Sequence, residues 1–203
     1  MTPLRTLPLL LALCAAPLAS AGQAEDLFAA GVEAAANGNH LEAADRWRQA
    51  AALDHADAAF RLGALYQEGR GVEQDYARAV EWYRRAADQG NESAWFNLGH
   101  MYAKGEGVAK DAAAAVRWYE KAARNDNAYA QYALGMIHFQ GGVGLKRDMA
   151  ASWFWLTVAA DNFGANAFRD SANDVRRRAR DRMTETQLSA ARQRLRDWQA
   201  EQE

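Results

Sequence analysis

Apolar positions along the chain come in paired stripes of helical spacing. In residues 59–91, Leu62 and Tyr66 stand one turn apart with Gly63 beside them. Ala79, Trp82, Tyr83 and Ala86 then fall at i, i+3, i+4 and i+7, with charged residues between them. That spacing predicts two amphipathic helices rather than strands. The pattern returns without a gap at 95–127, and again at 131–164 with one extra residue in the connecting loop. Leu62-Gly63, Leu98-Gly99 and Leu134-Gly135 are 36 positions apart, and Trp82-Tyr83, Trp118-Tyr119 and Trp155-Leu156 mark the second half of each copy. A fixed period of this length is the mark of a stacked repeat. Glycine inside a helix costs up to about 1 kcal/mol against alanine, so its return at one position predicts close approach of a neighbouring helix.

The connecting loop looks at first like a phosphate cradle. "GRGVEQD" at 69–75 recurs as "GEGVAKD" at 105–111 and as "GGVGLKRD" ending at Asp148. No "GK[ST]" follows and no strand pattern precedes it, so the context of a phosphate-binding loop is missing. A turn explains the recurrence. The glycines end one helix in left-handed backbone, the valine turns back to the core, and Asp75, Asp111 and Asp148 cap the next helix.

The flanks keep the rhythm. Residues 27–55 read as a helix pair with a shorter turn at "NGN"; Trp47, 35 residues before Trp82, is matched with it, and Ala51-Ala52 with the paired alanines of the repeats. Beyond 164 the chain is polar and helical, and Thr184 with Gln187 forms a capping box that starts a last helix. The expected organisation is a leader at 1–21, a helix pair at 22–55, repeats at 56–91, 92–127 and 128–164, and capping helices at 165–203.

Composition changes the picture at the amino terminus. Arg5, an apolar run from Leu7 to about Leu18, and small residues at Ala19 and Ala21 have the form of a secretory signal cleaved near Gly22. The expected chain is exported, periplasmic or secreted, with no membrane span after cleavage. Cys14 is the single cysteine, so the mature protein would have no disulfide. Loss of Arg5 moves the formal charge from −2 to −3, which argues against nucleic acid as a partner. His40, His55, His100 and His138 have no metal-ligand spacing, and no "GxSxG" or "SxxK" is present. No catalytic residue, metal or cofactor is assigned.

The units "AxxxLGxxYxxGxGVxxDxxxAxxWYxxAA" resemble Sel1-like repeats, relatives of the tetratricopeptide repeat. The resemblance implies an all-α fold: a right-handed α-solenoid of stacked helix–turn–helix repeats with polar carboxy-terminal capping helices. It also implies an adaptor or scaffold whose first helices line a concave groove for a partner protein or peptide. Positions three before, one after and four after the repeat glycine share a helix face apart from the Leu-Gly-Tyr stripe. On that basis the candidate partner-binding residues are Phe28, Phe60, Phe96, Tyr132, His100, Met136 and Phe139, flanked by Trp95 and Tyr129. His138 stands where the other repeats have Tyr66 and Tyr102, and is read as a core residue. Arg176, Arg177, Arg178, Arg180 and Arg182 form a candidate docking patch for an acidic partner, envelope glycan or lipid headgroup. The alternative reading is a cell-wall-active hydrolase of penicillin-binding or β-lactamase type, known from a cysteine-rich branch. A mature chain without cysteine departs from that branch.

Overall fold

A computed structural model describes residues 16–202. Cys14 and most of the expected leader lie outside them, and α1 starts within the segment read as leader. The described residues divide into two compact units that meet at Gly90 and Asn91. The first holds α1 (Ala16–Ala36), α2 (His40–Ala52), α3 (Ala56–Glu68) and α4 (Tyr76–Asp88). The second holds α5 (Glu92–Lys104), α6 (Ala112–Ala123), α7 (Ala128–Gln140), α8 (Met149–Asn162), α9 (Ala167–Arg180) and α10 (Glu185–Gln202). No strand occurs among the described residues; one isolated bridge joins Gly142 and Leu145. The protein is an all-α solenoid.

Most of these helices have 12 to 14 residues, a length that is marginal in isolation. Packing in pairs makes them stable. Within the first unit α1 lies on α2, α2 on α3, and α3 on α4; in the second, α5 to α9 continue the sequence and α10 lies on α8. Leu62, Leu98 and Leu134 are fully buried, and each contributes about 1.5–3 kcal/mol on the usual scale for such side chains. The repeat glycines sit where expected. A Cβ on Gly63 would stand 2.8 Å from the Tyr83 ring, and one on Gly99 would stand 2.5 Å from Tyr119. Gly135 meets Leu156 in the same way, and Gly31 of α1 meets Trp47.

That last contact corrects the alignment of the amino-terminal pair. Trp47 is buried against Gly31 and so holds the place of Tyr83, not of half-buried Trp82. The buried alanine pair is Ala50-Ala51, and Ala52 is exposed. The large side chain that fills the glycine notch defines the register, whether it is Trp47, a tyrosine or Leu156.

The turns follow the expected chemistry. Gly69 and Gly105 end α3 and α5 in left-handed backbone, at φ 70° and 83°. Asp75, Asp111 and Asp148 accept from the N–H groups of Arg78, Ala114 and Ala151 at 3.0, 2.9 and 2.9 Å. Thr184 and Gln187 exchange their capping-box bonds. First helices also share a cap 36 residues apart: Asn91 and Asn127, and in α3 the Nδ1 of His55, which accepts from Ala58 at 3.3 Å. The valine expectation holds only in part. Val72 and Val108 are half-buried, but Val143 is 61% exposed, and Leu145 takes the inward position of the longer third loop. That loop is fastened through its backbone, where Ala112 N–H donates to Val143 O at 2.9 Å.

Candidate functional site

Each ring of the aromatic column is half-buried and packed on its own neighbours. Phe28 stacks on the His55 ring at 4.5 Å, and Phe60 and Phe96 tilt against Tyr83 and Tyr119 at 5.7 Å. Trp95 packs on the core formed by α6, α7 and α8. His55 is held in place twice over: its Nδ1 caps α3, leaving Nε2 to donate to Glu25 at 3.1 Å.

In the third repeat the face expected to be open is covered. Tyr132, Met136 and Phe139 of α7 pack against Leu156, Ala160, Ala172 and Val175, the last two from α9. The Tyr132 hydroxyl is 2.8 Å from that of Ser171 on α9. The guanidinium groups of Arg178 and Arg182 lie 5.3 and 4.8 Å over the Phe139 ring. Three of the expected groove residues thus serve as the seat of α9. Ala172, Val175 and Ala179 are the buried stripe that takes this seat, at i, i+3 and i+7 of an otherwise polar helix.

The arginine run is correspondingly not one patch. Arg178 and Arg182 turn to Phe139, Arg177 pairs with Asp174 at 3.1 Å, and Arg180 approaches Asp181 at 3.8 Å. Arg176 is half-buried. At the start of α7, Tyr129 stays 52% exposed and meets Phe163 and Phe168 edge-on at 5.2 Å. His100 is half-buried; burial and then Lys104 hold its imidazole below the ordinary value, against the pull of Glu106.

An open groove does exist on the first-helix face of the first unit, between α1 and α3. It is a cavity of about 390 Å³ with Val32, Ala35, Ala36 and Ala64 on its apolar side. Arg61, Glu68 and Arg70 give it a charged rim, with His40 beside them, and Arg70 pairs with Glu68 at 2.9 Å. Val32 and Ala64 each follow a repeat glycine by one residue, and Val32 is 42% exposed. Gln67, expected on this face, instead accepts the Tyr83 hydroxyl at 2.6 Å. Val32 and Ala35 were missed because the glycine rule was applied at Gly31 only to its first position, Phe28; the other two offsets applied there find them.

Among the described residues no three metal-ligand side chains cluster, and no helix is long and apolar enough to cross a membrane. The repeat units match the family model for the Sel1 repeat at 56–91, 93–127 and 128–162, more than half of the chain. The chain belongs to the Sel1 repeat family. Members are generally protein–protein interaction scaffolds without catalytic activity. Among solved structures, a Sel1 repeat protein from Oxalobacter formigenes is 33% identical with a TM-score of 0.62, over 70% of this chain and 57% of that one. The protective antigen c5321 of uropathogenic Escherichia coli strains, which displays an SLR fold, is 25% identical with a TM-score of 0.54, over 89% of this chain and 46% of that one. This Sel1 repeat chain thus spans about half the length of both. No curated protein matches it.

Proposed function

We propose that this protein is an exported adaptor, periplasmic or secreted, that holds a peptide segment of a partner protein in the groove between α1 and α3. The observation that carries the reading is the groove itself: small apolar side chains below and an arginine–glutamate rim above, in a family of interaction scaffolds. Val32, Ala35 and Ala64 leave room for the partner's side chains. Arg61 and the Arg70–Glu68 pair can select the polar groups that flank them. Phe28 and Phe60 support the groove by fixing α1 and α3, the helices that bear it. Export rests on the leader-like residues 1–21.

The test is a photoreactive residue in place of Ala64, with exposed Glu81 on α4 as the control position. A defined adduct from position 64 alone, lost when Arg61 is changed to alanine, is the expected result. Equal adducts from both positions would overturn the groove assignment. Mass spectrometry of the protein recovered from the periplasm or medium should give an amino terminus near Gly22; a full-length cytoplasmic product would overturn export.

A further inference from the structure

We propose that the second unit carries a site for a phosphate monoester, between the third repeat loop and the start of α10. A cavity of about 530 Å³ opens there, and Lys146, Arg147 and Arg182 all line it. None of these three cations is in an ion pair among the described residues, whereas Arg177, Arg180 and Arg78 each have a carboxylate. Asp148 is the single carboxylate of the lining, and its Oδ1 already accepts the Ala151 N–H at 2.9 Å. The cavity therefore has an excess of positive charge that the protein itself does not neutralise.

Two of the cations are held in position before any ligand arrives. Arg147 Nε donates to Gln140 O at 3.0 Å, and the Arg182 guanidinium rests 4.8 Å over the Phe139 ring. Preorganised guanidinium forks favour a phosphate with several oxygens over a single carboxylate. The starts of α8 and α10, Met149 and Gln187, also face the cavity, and helix starts favour anions. His138 lines the same wall, and its buried Nδ1 has no hydrogen-bond partner. Leu145 and Met149, both half-buried, supply an apolar side. The volume leaves room beyond the phosphate group for a small carbon skeleton, so the ligand class is an organic monoester.

The turn uses a side-chain donor at the Arg147 position, since Gln74 of the first repeat donates to Gln67 O at 2.9 Å as Arg147 Nε does to Gln140 O, but it does not need a charge there. Where the third repeat has Lys146 and Arg147, the first has Glu73 and Gln74 and the second has Ala109 and Lys110, with the aspartate cap unchanged. The charge is an addition to the loop rather than part of its folding.

Calorimetric titration of the full chain with sn-glycerol 3-phosphate and with inorganic phosphate, at about 0.15 M salt, tests the proposal. Saturable one-site binding is expected, tighter for the monoester. It should weaken about tenfold or more in Lys146→Ala and in Arg182→Ala, and stay unchanged in Arg117→Ala, which removes an exposed cation from α6. Circular dichroism of each variant should match the parent. Vesicles of phosphatidic acid in phosphatidylcholine form the second arm. Binding there without soluble binding, with the same dependence on Lys146 and Arg182, would assign the monoester to a lipid headgroup. Linear uptake without saturation, equal loss in Arg117→Ala, or acetate binding as well as phosphate would overturn the site.

Discussion

The first-helix face is open between α1 and α3 and covered on α7, although both are built from the same repeat positions. The difference lies in the residues one and four after the glycine. Val32, Ala35 and Ala64 are too small to draw a further helix onto them. Met136 and Phe139 present enough apolar surface to seat α9, whose Ala172 and Val175 complete the contact. Side-chain volume at two positions per repeat therefore separates a surface left for a partner from one that the chain uses itself. At roughly 25 cal/mol per Å² of apolar area, two large side chains supply the few kcal/mol that hold such a helix down.

The comparison can be broken most sharply at Leu156, the fully buried residue under both Gly135 and α9. Leu156→Ala should lower the unfolding free energy by about 2–5 kcal/mol, measured by urea denaturation of the full chain; a loss below about 1 kcal/mol would mean that the seat of α9 is not load-carrying. Removing the bulk from α7 is the more selective change. Met136→Ala with Phe139→Ala should cost about 2 kcal/mol and speed amide exchange in α9 while leaving α1–α4 protected. Exchange that rises equally in both units would sink the local account.

Acid should give the smallest effect, and a contrast between the units at one repeat position. In α3 that position is Tyr66, which burial pushes up but which the neighbouring guanidinium groups of Arg48 and Arg78 bring below its ordinary value. In α7 it is His138, lowered mainly by burial, with Arg194 adding to it and Asp148 and Glu120 opposing. A histidine whose folded value lies below the ordinary 6.5 binds fewer protons folded than unfolded. Its contribution is complete above pH 6.5 and is lost as the pH falls through the folded value. His100 titrates in the same direction. Stability should therefore decline on acidification below about that pH, with a shallower slope in His138→Gln; an unchanged slope would remove His138 from the account.

Much of this was legible in the sequence because each repeat states the same rule again. The glycine notch, the left-handed stop and the aspartate cap depend on local backbone geometry; notch and cap recur in all three repeats, and the left-handed stop at Gly69 and Gly105, while Gly141 ends α7 at φ 70° with extended ψ. The amino-terminal pair was displaced by one residue because its shorter turn leaves no loop motif to anchor the alignment, and tryptophan invited a match to tryptophan. The cover over α7 was hidden by composition. Six arginines in α9 and just beyond it dominate its appearance, and the buried stripe consists of two alanines and a valine. Which surface such a helix chooses depends on residues about 40 positions earlier, and no local pattern reports that.

The hydrogen bond from Ala112 to Val143 has a practical meaning. Position 112 opens α6, where proline is ordinarily welcome because a first-turn N–H has no helical acceptor. Here that N–H is a clasp, and proline would undo it. Position 143 is the opposite case, since its carbonyl holds the clasp and its side chain points to water. A dye, a linker or an affinity handle attached there would ride on a fixed stretch of backbone without entering the fold.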